Sequence, residues 1–286
     1  MIIVNLIGGL GNQMFQYAFG RAFSVKYNLP LALDTSEFRT YTLRRFELGN
    51  LNIHAGNARK IELFLAKKHG HAGRFLRKFL GYRIYRESGF QHQEIRIEPR
   101  LTSYFSGYWQ SYRYIESIRE LLLKEFSLRD PTPEKCLPFA SMIESSNSVA
   151  IHIRRGDYVS NPETNSYHGT CSEEYYREAL QRVKSAIQDP HYFVFSDEIE
   201  WCKSNLSIFG PLDRVTFVDC NTSDQGFLDI FLMSKCRAHI IANSSLSWWS
   251  AWLAHDRLLE PIAPRKWFNK EDIDTSDLCP PDWIRI

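Results

Sequence analysis

From Ser148 onward the chain repeats one pattern, a short apolar run followed by a stretch with helical spacing, and no other feature limits its fold so strongly. The runs are SVAIHI (148–153), HYFVFS (191–196), RVTFVD (214–219) and AHIIAN (238–243). Helical patterns follow at about 172–187, 197–206, 224–236 and 244–254. Ser172 is placed to cap the first of these, and Glu173 and Glu174 suit its positive end. Strands that read as unbroken apolar runs are covered on both faces, and parallel neighbours need a crossover, so the alternation predicts a parallel sheet between helices. The first half opens in the same way, with a strand at 2–7, a helix spaced by Phe15, Ala18, Phe19, Ala22 and Phe23, and a strand at 29–34. DPTPEKCLP (130–138) carries three prolines and reads as a linker. Two α/β domains are therefore expected, at 1–135 and 136–286, and 286 residues that are 44% hydrophobic can fill two cores.

A formal net charge of +2 does not call for nucleic acid as a partner. No run approaches the roughly 18 apolar residues that span a bilayer. The six cysteines are scattered without a CxxC pair, and the sequence starts directly on MIIVNLI with no basic and apolar leader before it. These features predict a cytoplasmic protein without disulfides or a metal site.

HIRRGDYV (152–159) places charge at the end of an apolar strand, where open α/β sheets bind ligands. The two-residue period sets His152 and Arg154 on one side. Arg154 and Arg155 together match a phosphate or diphosphate; the alternative is a local salt bridge in which Asp157 turns back onto them. In GGLGNQMF (8–15), Gly9 and Gly11 allow a backbone approach to an anion or sugar at a helix start. Met14 stands where a dinucleotide fingerprint needs its third glycine, which argues against NAD although Asp34 lies at the expected distance. Asn12 and Gln13 add neutral groups suited to hydroxyls or a diphosphate. In IIANSSLSWWSAWL (240–253), Asn243 ends a strand, and Ser244, Ser245 and Ser247 open a helix as anion ligands or as caps. Trp248, Trp249 and Trp252 keep helical spacing and are expected in the core. Asp229 is an isolated acid on an apolar helix, awaiting either Lys235 or Arg237 or the N–H edge of a guanine. Asp197, in FSDE, either reaches the crevice or caps a helix. The D-x-D letters at Asp272 and Asp274 follow no strand and are read as accidental.

Taken together, GGLGNQMFQYA, HIRRGDYV, FSDEIEWCK and IIANSSLSWWSAWL, in this order over nearly the whole chain, resemble the α-1,2-fucosyltransferases of glycosyltransferase family 11. The resemblance implies a GT-B-like fold, two Rossmann-type domains with mostly parallel sheets facing a cleft. It implies inverting transfer of L-fucose from GDP-fucose to the 2-hydroxyl of a galactoside in a bacterial glycan, with no metal or other cofactor. Arg154 would stabilise the departing GDP; His152 and Asp229 would hold guanine; Arg155, Asn243 and the serines at 244, 245 and 247 would complete the donor site. Gly9, Gly11, Asn12 and Gln13 would line the cleft from the N-terminal, acceptor-side domain. Asp157 and Glu163 are the candidate bases for the acceptor hydroxyl. The rival readings are another GDP-sugar transferase and a non-catalytic nucleotide-sugar-binding protein. A galactose-containing oligosaccharide or a lipid-linked glycan is the expected acceptor.

Residues 67–86, KKHGHAGRFLRKFLGYRIYR, hold seven lysines and arginines and no acid, interleaved with Phe75, Phe79 and Tyr82. The segment suits either peripheral contact with an anionic membrane or a basic helix facing solvent, and Gly70 and Gly73 are expected to weaken a long helix there.

Overall fold

A computed structural model describes residues 1–40, 44–68, 70–205, 214–222, 224–270 and 272–286, with Asp157 described by its backbone alone. The chain forms two compact units, one of residues 1–129 with 274–280, the other of 130–273 with 281–286. Among the described residues every pairing between the strands named below is parallel, and a single isolated bridge, Leu51 to Leu128, is antiparallel.

The first unit runs β1 (Ile2–Asn5), α1 (Leu10–Tyr27), β2 (Leu31–Asp34), β3 (Gly56–Asn57), α2 (Lys60–Lys67), α3 (Gly70–Phe79), β4 (Tyr82–Arg86), β5 (Thr102–Ser106) and α4 (Arg119–Glu125). Its sheet order is β3-β2-β1-β5-β4. β1 is buried along its whole length, as a central parallel strand should be. α1 is buried on nearly every side, and its Phe19 stacks on Trp109 with ring centroids 4.2 Å apart. The basic segment is not one long helix: α2 ends at Lys67, and α3 begins at Gly70, whose φ of 81 is left-handed, while Gly73 lies buried in the first turn of α3.

The second unit runs α5 (Leu137–Glu144), β6 (Asn147–Ile153), α6 (Gly156–Ser160), α7 (Pro162–His168), α8 (Glu173–Ala186), β7 (Pro190–Ser196), α9 (Ile199–Ser204), β8 (Val215–Phe217), α10 (Gly226–Ser234), β9 (Ala238–Ile240), α11 (Ser245–Leu253), β10 (Ile262–Ala263) and β11 (Ile284–Arg285). Its sheet order is β11-β10-β9-β6-β7-β8. Ser172 caps α8 by accepting from Tyr175 N–H, and Trp248, Trp249 and Trp252 are core residues of α11. Val149, Ile151 and Ile153 of β6 pack with Ala179, Leu180 and Val183 of α8.

The division falls at 129/130 where the proline content had placed it at 135/136. The prolines there start helical turns instead of loosening the chain: Pro133 precedes the 3-10 turn Glu134–Cys136, and Pro138 sits in the first turn of α5. Cys136 is fully buried, its Sγ 3.4 Å from Oδ1 of Asn221, so this stretch belongs to the second unit.

Both sheets change direction once. In the first, the chain steps outward from β1 through β2 to β3, then returns so that β5 lies on the other side of β1; in the second it steps from β6 through β7 to β8, and β9 returns to the other side of β6. The carboxyl ends of β1 and β5, and of β6 and β9, are therefore the switch points at which an open parallel sheet leaves a crevice.

Candidate functional site

The second unit's switch point holds the charge that the sequence placed at the end of β6. β6 and β7 pair through Ile153 and Ser196, so the next residues along, Arg154 and Asp197, then Arg155 and Glu198, leave the sheet side by side. Arg154 Nη1 lies 3.0 Å from Oδ2 of Asp197, whose Oδ1 accepts the Arg155 N–H at 3.0 Å. Arg155 Nε bonds Glu198 at 3.1 Å, and its guanidinium lies 3.6 Å from the centroid of Trp201. The acids facing the arginines thus come from the neighbouring strand end. Parallel register brings Asp197 there, a contact that the local sequence around 154 does not contain.

Gly156 is required by this arrangement. A Cβ on it would collide with Oδ2 of Asp197, the oxygen that Arg154 uses. Tyr158 was not singled out in the sequence, yet the Arg154 guanidinium lies over its ring and its hydroxyl donates to the Asn243 carbonyl. It ties the end of β6 to the β9–α11 junction.

His152 is 6% exposed, and its Nδ1 has no hydrogen-bond partner among the described residues. Burial pushes its pKa down to about 4 against the opposing pull of Asp197, with Arg154 acting in the same direction as burial, so the imidazole is neutral at pH 7. A shielded nitrogen without a partner costs about 1–3 kcal/mol, which a ligand's polar atom would recover.

At the β9–α11 junction the polar residues divide. Asn243 is buried; its Nδ2 donates to the carbonyls of His168, Gly169 and Trp267, and its Oδ1 accepts from Cys171. Ser247 is fully buried and bonded to the Ala242 and Ser244 carbonyls. Both brace the junction and have no face left for a ligand. Ser244 caps α11 through Leu246 N–H, and the half-buried Ser245 opens the first turn. Those two, with the helix N-terminus, make up the part of this motif that can meet an anion.

Asp229, in the first turn of α10, pairs with neither Lys235 nor Arg237. Lys235 bonds Glu144, Arg237 meets Asp256, and Asp229 accepts from Asn221 Nδ2 at 2.8 Å. Burial pushes its pKa up to about 6 against that hydrogen bond. Glu163 lies exposed in the first turn of α7, which Asn161 caps. The Asp157 side chain lies outside the described residues. A cavity of about 250 Å³ at the end of β6 is lined by Ile153, Arg154, Arg155, Ser172, Tyr176 and Trp201. It is smaller than the roughly 300–1,000 Å³ of ordinary ligand sites, so it can take only part of a ligand.

In the first unit, Gly9 is the N-cap of α1 and Gly11 lies inside the helix, while Gly8, at φ 78, makes the turn between β1 and α1. Gln13 is fully buried: its Nε2 donates to the carbonyls of Gly8 and Arg45, and its Oε1 accepts from Glu47 N–H. Its amide clamps the 44–47 loop to the helix and has no surface for a ligand. Asn12 is half-buried and accepts from Gln110. Asp34, at the position of a dinucleotide acid, is buried and spent on Ser36, Tyr104 and Lys67. Glu87, unnoticed in the sequence, follows β4 and accepts the N–H groups of Tyr108 and Trp109; burial pushes its pKa up to about 7.

Comparison with known proteins adds to this geometry. The model of the family described as Glycosyl transferase family 11 matches residues 1–286. An alpha-1,2-colitosyltransferase of Escherichia coli is 38% identical across 100% of this chain and 99% of its own length. Galactoside alpha-(1,2)-fucosyltransferase 2 of Mus musculus is 26% identical across 88% of this chain and 67% of its own. Among solved structures, an Arabidopsis thaliana FUT1 mutant in complex with GDP superposes with a TM-score of 0.56 at 10% identity, covering 98% of this chain and 74% of that one. The likeness to the plant protein is one of fold, and the two parallel α/β units are of the GT-B type.

Proposed function

The chain belongs to glycosyl transferase family 11, and from that premise we propose that it moves L-fucose from GDP-fucose to the 2-hydroxyl of a galactoside, with inversion at the anomeric carbon. The observation that carries the reading is the guanidinium of Arg154, held by Asp197 at the switch point between β6 and β9. In the in-line step, the acceptor oxygen bonds to C1 of the sugar as the C1–phosphate oxygen bond breaks. The electron pair leaves with GDP, and the acceptor proton passes to a carboxylate of the 156–168 segment, Asp157 or Glu163. Arg154 and the N-terminus of α11, with Ser244 and Ser245, carry the growing charge on the diphosphate. His152 and Asp229 hold the guanine, Asp229 accepting from its N1–H and amino groups. Cations and N–H dipoles suffice for that charge, so turnover is expected to persist in EDTA. In this reading the second unit takes the donor and the first serves the acceptor.

A second donor is favoured by one finding: the 38% identical relative is a colitosyltransferase. The test supplies GDP-fucose and GDP-colitose separately with a set of galactosides, measures GDP release and determines the product linkage. Faster release with GDP-fucose and a product substituted at O2 of galactose are expected. Preference for GDP-colitose would replace the donor and leave the linkage standing. GDP binding with neither donor consumed, whatever the acceptor, would overturn the enzymatic reading.

A further inference from the structure

α2 and α3 of the first unit pack against each other and leave their large apolar side chains in water. Phe75 is 74% exposed and Phe79 78%, one turn apart on α3, and Leu80 follows at 47%. On α2, Ile61 and Phe64 are 56% and 52% exposed. Side chains of this size are seldom left open in such a cluster unless something covers them.

The exposed charge beside them is basic, since Glu62 of α2 is buried and paired with Arg59. Arg74 and Lys78, at the same one-turn spacing, border Phe75 and Phe79, and Lys68 lies over the Phe64 ring at 5.0 Å. Lys78 has no acidic partner among the described residues. Lys67 and Arg77 have internal roles instead: Lys67 is turned to Asp34 and Glu37, and Arg77 donates to the Leu65 and Lys68 carbonyls. Aromatic residues beside lysine and arginine, with no exposed acid on the face of α3 and the one acid of α2 buried, fit a surface that is apolar within and negative at its boundary. Among the described residues no helix is long and apolar enough to cross a membrane, so contact would be along the helices.

We infer that the exposed face of α2 and α3 docks onto an anionic lipid surface, with Phe75 and Phe79 entering the headgroup region and Arg74, Lys78 and Lys68 meeting the lipid phosphates. The inference rests on this surface and is independent of the donor assignment. It would keep the enzyme beside an acceptor carried on lipid.

The test is cosedimentation of the full chain with vesicles of phosphatidylcholine alone or mixed with phosphatidylglycerol, at low and high salt. Binding is expected to the mixed vesicles only and to weaken in high salt. Each basic residue near such a surface is worth roughly five-fold in partition, so Arg74→Gln with Lys78→Gln should cost roughly 25-fold. Phe75→Ser with Phe79→Ser should cost at least roughly ten-fold. Both pairs lie on the solvent face, so circular dichroism and GDP release from the donor in the presence of soluble acceptors should stay unchanged. Failure to sediment with the mixed vesicles, or binding indifferent to both double variants, overturns the inference. So does a concentration-dependent dimer that the phenylalanine variant abolishes, since a second copy would then be what covers the face.

Discussion

Arg154 combines a permanent charge with a fixed direction, because Asp197 holds one side of its guanidinium and the Tyr158 ring lies under it. Arg154→Lys keeps the charge and loses the planar fork. Loss of a fixed donor to a developing anion costs about 10²–10³ in turnover, so kcat should fall by that factor while the unfolding midpoint barely moves. Asp197→Asn should leave the charge and loosen its direction, with a smaller loss of roughly ten-fold, read in the same GDP-release measurement. Asp229 makes a separate prediction about pH. Folded, it keeps its proton up to about pH 6; unfolded, it loses the proton near 3.8. The folded state therefore binds the extra proton between these values, and stability falls as pH rises through that window, then levels off above it. Asp229→Asn should abolish this slope, matching the parent in urea unfolding at pH 4 and exceeding it at pH 7.5 by up to about 3 kcal/mol. GDP affinity should fall roughly 10–100-fold in the same variant, the worth of hydrogen bonds to a charged acceptor. Unchanged GDP affinity would take guanine away from Asp229.

At the scale of elements, each switch point depends on a junction braced from within. Gly8 turns the chain out of β1 at φ 78, and a Cβ there would press on the Asn12 amide. Gly9 is ordinary extended backbone, and the nearest atom to an added Cβ is 3.7 Å away. Gly8→Ala should destabilise by about 1–2 kcal/mol, whereas Gly9→Ala should stay within about 0.5 kcal/mol, both measured by thermal unfolding. At the other junction, Asn243→Ala strips three carbonyls of their donor and should cost about 2–4 kcal/mol in stability. The alternation of apolar runs and helical spacing located these elements closely, α8 and its Ser172 cap above all. The ends moved where tertiary contacts intervene: the helix expected from 197 begins at Ile199, because Ser196, Asp197 and Glu198 are engaged in holding the turn and the arginines.

Across the whole molecule, the chain crosses between its two units more than once, since 274–280 return to the first unit while β11 closes the second sheet. Asp277 anchors that return by accepting from His92 N–H and meeting Arg113, while its carbonyl accepts from Tyr112 N–H. Asp277→Ala should therefore lower the urea midpoint of the first unit by about 1–2 kcal/mol equivalent and leave the second unit's transition in place, a difference separable by hydrogen exchange. The sequence by itself determined that β1, β2 and β6 to β9 are strands of parallel sheets, that helices cross between them, and that polar motifs stand at strand ends, because apolar periodicity and end signals are local properties of the chain. It also carried the likeness to the family. Only the tertiary structure decided that β5 returns to β1 and β9 to β6, that acids some forty residues from the arginines hold them, that Asn243, Ser247 and Gln13 are spent as braces, and that residues 274–280 join the first unit while 281–286 stay with the second. These are pairings between distant segments, and parallel register, which no short window of sequence contains, sets which side chains meet.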